Sequence, residues 1–568
     1  MRVDRDISLS REHKIKTATG SRVESGATTG RLSTDRKMAS HFLLVMLVAA
    51  FLNGCASLPP GSDFPKTASS ALAQPEVTRF GRQYADAARK HVGKSGFRML
   101  AAGADGFLTR VQMVNTVERT LDLQYFIFRA DETGRLLTDA VLRAADRGVR
   151  VRVRVLIDDG ETIAGDEQLV ALDAHPQIEV RIFNPFAYRG HTTFFRALEF
   201  MLSNSRLDYR MHNKLMVVDN AIALIGGRNV GDQYFQVDPQ SQFADDDVFA
   251  AGPIVKELSV TFDEFWNCAI AIPVRALAKG QTSDAALAEY RKVLNEHRQQ
   301  VKADGTDYAN RVATGEPLAG MISGRLPLVW AHAQLVYDSP DKKRVEKSQM
   351  VGRLMHRPVA KAVAAVQSEL LMVTPYFIPG DEGMQLFSDL RKRNVRVRVL
   401  TNSLESNTVL LAQSGYMHYR LPLLKKGVEL HEVRSLLGNA RGSGQTTKMT
   451  RYGNYSLHAK LFVFDRQRLF IGSMNFDQRS MHLNTEIGLI IDSPELAQQT
   501  AARFESMVSP PNSYELALLP GDGASSPRLV WRTREDDKAV EYDQEPARSN
   551  EQRLKVKLLS LLPLDGEL

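Results

Sequence analysis

The chain has 568 residues, 43% of them apolar and 24% charged. This is the composition of a globular protein, and at ~100–200 residues per domain the length calls for two lobes plus extras rather than one core. The net charge is +7, but residues 1–37 hold nine Lys or Arg against five Asp or Glu and residues 38–54 hold none, so the part from Cys55 onward carries only +3. A basic whole-chain balance is therefore poor evidence for nucleic-acid binding.

In chain order the first signal is Phe42 to Leu52, FLLVMLVAAFL, which is uncharged, short for a bilayer span and the right length for a signal-peptide core. It ends in Leu52-Asn53-Gly54-Cys55, which resembles the lipobox of bacterial lipoproteins. That resemblance implies that residues 1–54 are a leader and that Cys55 is the first mature residue and carries lipid. The body would then be held at a membrane of the bacterial cell envelope. Arg36 and Lys37 supply the basic flank, and Met38 is an alternative start. A plain cleaved signal or an uncleaved anchor are the other readings. The remaining cysteine, Cys268, sits beside Trp266 and reads as packing, so with Cys55 lipidated neither an intramolecular disulfide nor a cysteine metal site can form.

A Pro- and Ser-rich spacer fills 55–77, and a first lobe is expected over 78–274. There a strand at Leu121 to Phe128, a helix between Gly134 and Gly148 and a strand from Val149 follow one another. Strand, helix, strand argues a parallel crossover and an α/β layer fold. Arg150, Arg152 and Arg154 alternate on the second strand and read as the solvated face of an outer strand. Next comes RMHNKLMVVDNAIALIGGRN, Arg210 to Asn229. His212 and Lys214 lie two residues apart, on one face of an extended chain, with an apolar run behind them. Asp219-Asn220 offers turn chemistry, and a second apolar stretch returns to Gly226 and Asn229, which predicts a hairpin.

Asp245, Asp246 and Asp247 precede another apolar strand. Three adjacent carboxylates suggest a metal, but the equivalent place downstream holds the single Glu486. One of the trio, Asp245 or Asp247, is expected to orient a catalytic histidine and the rest to lie at the surface. Residues 275–345 read as a connecting region with an exposed helix from Ala276. Within a second lobe over 346–520, ELLMVTPYFIPG matches LDLQYFIFRA through Tyr376-Phe377-Ile378 and Tyr125-Phe126-Ile127, and NVRVRVLTNS matches VRVRVLIDD. Lys425, Lys426, His431 and the basic run Lys342 to Arg357 are candidates for headgroup or membrane contact, with solvated faces the better reading. The loop 438–448 is placed at the mouth of the site. The tail, 521–568, ends in a mix of cations and leucines that suits either a membrane surface or docking on the core.

The hairpin pattern recurs at Leu457 to Asn475, LHAKLFVFDRQRLFIGSMN, giving His458, Lys460, Asp465, Gly472 and Asn475 at identical spacing. An accidental match to His-x-Lys-x4-Asp arises on the order of 10^-4 or less per position, so two copies mark an internal duplication. A duplication of this size predicts a pseudo-twofold arrangement with two hairpin edges facing one site.

The pair of motifs resembles the double HKD signature of the phospholipase D superfamily. The surrounding segments, TLDLQYFIFRADETGRLLTDAVLRAADRG, GYMHYRLPLLKKGVELHE and NTEIGLIIDSP, resemble bacterial cardiolipin synthases of the C type. The resemblance implies two pseudo-twofold-related α/β lobes, each a mixed sheet flanked by helices, sharing one active site. It also implies chemistry without metal or cofactor. A phosphatidyl group would pass through a phosphohistidine to phosphatidylglycerol, from a second phosphatidylglycerol or from phosphatidylethanolamine, at a membrane, with no nucleic-acid partner and with room for a helper protein.

By resemblance His212 is the nucleophile and His458 the acid–base partner, although the residues themselves are symmetric. Lys214 and Lys460, with Asn229, Ser473 and Asn475, are placed on the phosphate oxygens, and Asp245, Asp247 or Glu486 on the histidines. Asp219 and Asp465 complete the motif but sit at the far strand ends, where a structural role is the better reading. Hydrolysis by water and cleavage of nucleic acid are the alternative activities, because the core residues are common to all three.

Overall fold

The computed structural model describes residues 60–148, 151–160, 166–190, 192–238, 241–278, 283–304, 327–436, 455–521 and 527–562. The leader with Cys55, Arg150 and the loop 438–448 lie outside the described residues.

The first half supplies β1 (Ser95–Leu100), β2 (Thr120–Tyr125), β3 (Arg152–Asp158), β4 (Ile178–Phe183), β5 (Leu215–Val218), β6 (Ile222–Gly226), β7 (Gln242–Ala244), β8 (Asp247–Ala251) and β9 (Ala271–Pro273). The second half supplies β10 (Val329–Tyr337), β11 (Glu369–Val373), β12 (Arg396–Asn402), β13 (Glu429–Val433), β14 (Tyr455–Leu457), β15 (Leu461–Phe464), β16 (Arg468–Gly472), β17 (Ile487–Asp492) and β18 (Ser513–Leu519). A C-terminal hairpin adds β19 (Arg528–Glu535) and β20 (Lys538–Tyr542).

Among the described residues, eighteen of these strands form one mixed sheet. The spatial order is β9-β4-β3-β2-β5-β6-β8-β1 in the first half, continued by β10-β17-β16-β15-β11-β12-β13-β18 in the second and closed by β19-β20. Read outward from the antiparallel β1–β10 junction, the two halves repeat one order, with parallel pairing confined to β2-β3-β4 and β11-β12-β13. This is the duplicated α/β architecture the repeat predicts, with the two sheets fused edge to edge. Fusion also covers two edges that would otherwise expose unpaired backbone groups.

Side-chain alternation divides the core. Leu215 and Val217 on β5, with Leu461 and Val463 on β15, enter a central core shared by both halves and covered by the helices Pro253–Asn267 and Pro494–Val508. Met216 and Val218 point the other way, into a first-half core under the helices Gly103–Thr116 and Glu132–Ala145. Phe462 and Phe464 enter the corresponding second-half core. The apolar runs behind each His-x-Lys therefore serve two layers at once, as a strand buried on both faces requires.

Several sequence-based expectations are corrected here. The tripeptides Tyr125-Phe126-Ile127 and Tyr376-Phe377-Ile378 are not equivalent: Leu121 opposes Val218 and Leu370 opposes Phe464, so Tyr125 corresponds to Thr374, and Phe128 corresponds to Phe377. β3 lies between β2 and β4 rather than at an edge. Its Arg154 is buried, with Nε and Nη2 on Asp122 at 2.7 and 2.8 Å and Nη1 on Asp263 at 2.7 Å, because a guanidinium inside a sheet must be paired. Lys342 and His431 are buried as well, Lys342 on Asp338 at 2.9 Å.

The helix Asp284–Ala303 does not run free between lobes. It docks Leu287, Leu294 and Val301 on the first-half core, with Arg298 on Asp139 at 3.0 Å. The 275–345 stretch also contains β10, which pairs with β17 of the second half. The opening of the tail, 522–526, lies outside the described residues; beyond it come β19 and β20, and the closing helix, Asn550–Leu559, buries Val556 beside Leu404.

Each motif aspartate closes its own hairpin. Asp219 and Asn220 have φ of 56° and 50°, and Asp465 and Arg466 have 52° and 54°, the left-handed pair that a two-residue hairpin turn requires. The Asp219 carboxylate accepts the amides of Glu118, Arg119 and Thr120, and Asp465 accepts those of Gln367, Ser368 and Glu369. They tie the hairpins to the starts of β2 and β11, the structural position expected for them at the far strand ends. Asp219 is buried and leaves three amides orphaned when removed, so D219A is expected to cost about 3 kcal/mol in denaturant unfolding and D465A about 1. The folded fraction of both should keep its turnover number; loss of turnover without loss of stability would return these carboxylates to the catalytic set.

Candidate active site

The two histidines are positioned by the opposite half of the chain. Met211, immediately before His212, bridges Thr485, with His212 N donating to Thr485 O and Thr485 N to Arg210 O, both at 2.9 Å. Leu457, immediately before His458, pairs with Ala244 through β14 and β7, and His458 N donates to Ala244 O at 2.7 Å. The same residues are fastened from behind by the ends of the parallel strands. Asp158, closing β3, accepts Met211 N at 2.7 Å, and Asn402, closing β12, accepts Leu457 N at 2.8 Å and donates to Leu457 O at 2.9 Å. These two residues were not singled out from the sequence, although both end a VRVRVL strand at corresponding positions.

The residue after each bridge supplies the carboxylate. Glu486 follows Thr485 and meets His212 Nδ1 at 2.9 Å, while Asp245 follows Ala244 and meets His458 Nδ1 at 2.5 Å. Each histidine is thus paired with an acid of the other half. Of the aspartate trio, Asp245 takes the histidine. Asp247, the other candidate, is held by Arg110 at 2.8 Å and Arg228 at 3.1 Å, and Asp246 by Arg503, so neither lies at the surface as expected. Their burial is enforced by close packing: a Cβ on Gly226 would lie 2.3 Å from Asp246 O, which explains a glycine at that place in the motif.

Lys214 Nζ donates to His212 O at 2.6 Å, and Lys460 Nζ donates to His458 O and lies 3.0 and 3.3 Å from the two ring nitrogens of His458. Phe126 meets the His212 ring edge-on at 5.0 Å, and Tyr234 and Phe243 flank the His458 ring at 5.2 and 5.3 Å. Burial pushes every cation here toward neutrality. His212 is lowered well below its usual value by burial and then by the neighbouring positive charges, Lys214 is lowered well below its own by burial against the opposing pull of Glu486, Lys460 falls to about 8, and His458 to about 3. Lys460 acts on His212 and Lys214 on His458, so the motifs share one electrostatic site.

The two acids differ. Burial opposes ionisation of Asp245, but the hydrogen bond to His458 and the charges of Lys460 and Arg228 outweigh it and hold the carboxyl below its ordinary range. Burial wins at Glu486 and raises it to about 7 despite Lys214. Both imidazoles therefore stand neutral, donating Nδ1–H to a carboxylate and leaving Nε2 as the reactive nitrogen.

The residues expected on the phosphate oxygens divide as well. Asn229 gives one amide proton to Tyr234 Oη at 3.0 Å and accepts Ile127 N at 3.0 Å, so its carboxamide is largely used within the first half. Ser473 donates to Glu486 at 2.5 Å and accepts Ile487 N at 3.0 Å, and Ser480 donates to the other Glu486 oxygen at 2.9 Å. Ser473 thus holds the acid rather than a ligand. The Asn475 Oδ1 is buried with no partner among the described residues. Among those residues no group of three His, Cys, Asp or Glu is placed to hold a metal ion.

Residues 111–266 and 359–508 match the family described as cardiolipin synthase, PLD-like domain. Cardiolipin synthase C of Escherichia coli is 35% identical over 84% of this chain and 97% of its own length, and cardiolipin synthase 2 of Bacillus anthracis is 23% identical over 72% and 63%. Among solved structures, the phosphatidylserine synthase of Haemophilus influenzae aligns at 13% identity with a TM-score of 0.48, covering 76% of this chain and 92% of that one. The chain belongs to the phospholipase D-like cardiolipin synthase family and is, at that level, a phospholipid phosphatidyltransferase.

Two limbs are expected in the pH–rate profile. As pH falls through about 7, Glu486 takes a proton and no longer meets the His212 Nδ1–H as a carboxylate; as pH rises through about 8, Lys460 loses its charge. Turnover should peak between them, and E486Q should flatten the acid limb while lowering kcat about 10–100-fold. A profile flat from pH 6 to 9 would contradict this assignment.

Proposed function

We propose that this enzyme makes cardiolipin by moving a phosphatidyl group onto a hydroxyl of phosphatidylglycerol, the donor being a second phosphatidylglycerol or phosphatidylethanolamine. The observation that carries it is the pair of buried His–Lys sets, each histidine backed at Nδ1 by an acid of the other half and each within electrostatic reach of the other set's lysine. The kinship with proteins named cardiolipin synthase directs this chemistry to phospholipids.

As the anionic diester binds, His458 takes a proton from solvent at Nε2; in the first step His212 Nε2 attacks phosphorus, a P–N bond forms, the P–O bond to the headgroup breaks, and the leaving alkoxide takes that proton from His458. In the second, His458 removes the proton from the acceptor hydroxyl, whose oxygen displaces His212. Dividing the displacement in two lowers each barrier, and the acid–base help is worth ~10^2–10^4 in rate. Lys214, Lys460 and the Asn475 carboxamide hold the nonbridging oxygens. A phosphodiester anion between the two ammonium groups offsets their repulsion and raises the proton affinity of His458, which suits it to act as the acid. The more strongly ionised Asp245 supports this role for His458, and the weaker acid Glu486 leaves His212 as the nucleophile. The lipobox-like leader would keep the site at the membrane that holds its substrates.

Purified protein given phosphate-labelled phosphatidylglycerol, with and without phosphatidylethanolamine, is expected to yield cardiolipin in the presence of EDTA. Acid-labile, alkali-stable label should appear on the protein and vanish in H212A. Loss of turnover on chelation, phosphatidic acid as the sole product, or DNA cleavage without lipid turnover would each overturn the proposal.

A further inference from the structure

The helix Thr193–Leu202, in the connection between β4 and the first motif, is amphipathic in the inverted sense. Its charged residues face the protein. Arg196 is buried, donates to Asp159 O at 2.5 Å and stacks on the Phe186 ring at 4.1 Å, and Glu199 accepts the amides of Ala187 and Tyr188 at 2.7 and 2.8 Å. Its large apolar residues face outward: Phe194, Phe195, Leu198, Phe200, Met201 and Leu202 are all exposed, from 36% at Phe200 to 70% at Met201. A helix that borders water shows the reverse. Six contiguous apolar side chains without a charge among them mark a face built for an apolar medium, and the absence of any charged or acid group on it disfavours a polar protein partner.

The helix is tied to the catalytic end of the sheet. The carbonyl that Arg196 holds belongs to Asp159, next to the Asp158 that fixes Met211. Gly160, the following residue, lies against Phe126, a Cβ there being 3.2 Å from the ring that meets His212. The outward face is therefore coupled to the His212 site through a short run of packed residues.

We propose that this helix enters the headgroup and upper acyl region of a phospholipid bilayer and seats the mouth of the His212–His458 site on the lipid surface. The bilayer contact stands on exposure and charge placement alone; that it serves lipid delivery rests on the phosphatidyl-transfer reading above. Among the described residues no helix is long and apolar enough to cross a membrane, so the contact is one of surface insertion.

The full-length Phe194→Trp variant, mixed with vesicles of phosphatidylglycerol and phosphatidylethanolamine carrying brominated acyl chains, tests the contact. Its emission is expected to shift to the blue and to be quenched well beyond the change in the parent chain, which has two buried tryptophans, Trp266 and Trp531, and a half-buried one, Trp330, stacked on His91. Quenching no greater than the parent's would overturn the proposal. So would a blue shift that appears without vesicles and grows with protein concentration, which would assign the face to a second copy of the chain.

The triple variant Phe194→Ser, Leu198→Ser, Met201→Ser should lose about tenfold or more of its turnover on long-chain phosphatidylglycerol in vesicles and keep its turnover on a short-chain form dissolved as monomers. Equal loss on both would overturn the role in delivery. A parent chain inactive on both would remove the phosphatidyl-transfer reading and leave the quenching result to decide the bilayer contact.

Discussion

The exchange of acids between the two halves is the constraint on which the rest of the structure depends. Two buried lysines in one site repel one another when charged, any proton added to either imidazole adds to that repulsion, and burial penalises each charge separately. What makes the cluster tenable is that Glu486 reaches His212 and Asp245 reaches His458. Neither half supplies the carboxylate that meets its own histidine at Nδ1. The site is therefore a property of the closed pair, and the fold is organised to keep that pair closed.

Three features do so at increasing distance from the reacting atoms. Short parallel bridges, Met211 to Thr485 and Leu457 to Ala244, set each histidine one residue from the strand that brings its acid. Asp158 and Asn402 clamp the residues on the other side of those bridges. The β1–β10 junction then makes the two sheets continuous, with a central core shared by both. Preorganisation of this kind is what a mechanism relying on positioned charge requires, since the donors must already face the place where negative charge develops.

Much of this was legible in the sequence, for reasons that are local. His-x-Lys two apart, an apolar run, an Asp at a two-residue turn and a closing Gly are dictated by strand period and turn chemistry, and their recurrence gave the duplicated fold and the two histidines. The role of Asp219 and Asp465 at the turn followed from the same geometry. What escaped depends on contacts between residues far apart in the chain. Nothing in the string DDD says that Asp245 meets a histidine 213 residues away while Asp247 meets Arg110. The alternation of Arg152 and Arg154 is the same for an edge strand and an interior strand; only the neighbours β2 and β4 decide that Arg154 needs Asp122. Ser473 looked like a phosphate ligand because its partner, Glu486, is brought close only by the β16–β17 pairing. The false match of Tyr125-Phe126-Ile127 to Tyr376-Phe377-Ile378 shows that similar composition misleads where a ladder register does not.

The most direct test of the central claim is a pair of double-mutant cycles measured by denaturant unfolding. The cross-half cycle combines His458→Gln with Asp245→Asn; the control combines His458→Gln with Glu486→Gln, an acid of the same half. The reciprocal arrangement requires a coupling of about 1 kcal/mol or more in the first cycle and additivity within about 0.5 in the second. Coupling confined to the same-half pair would contradict it.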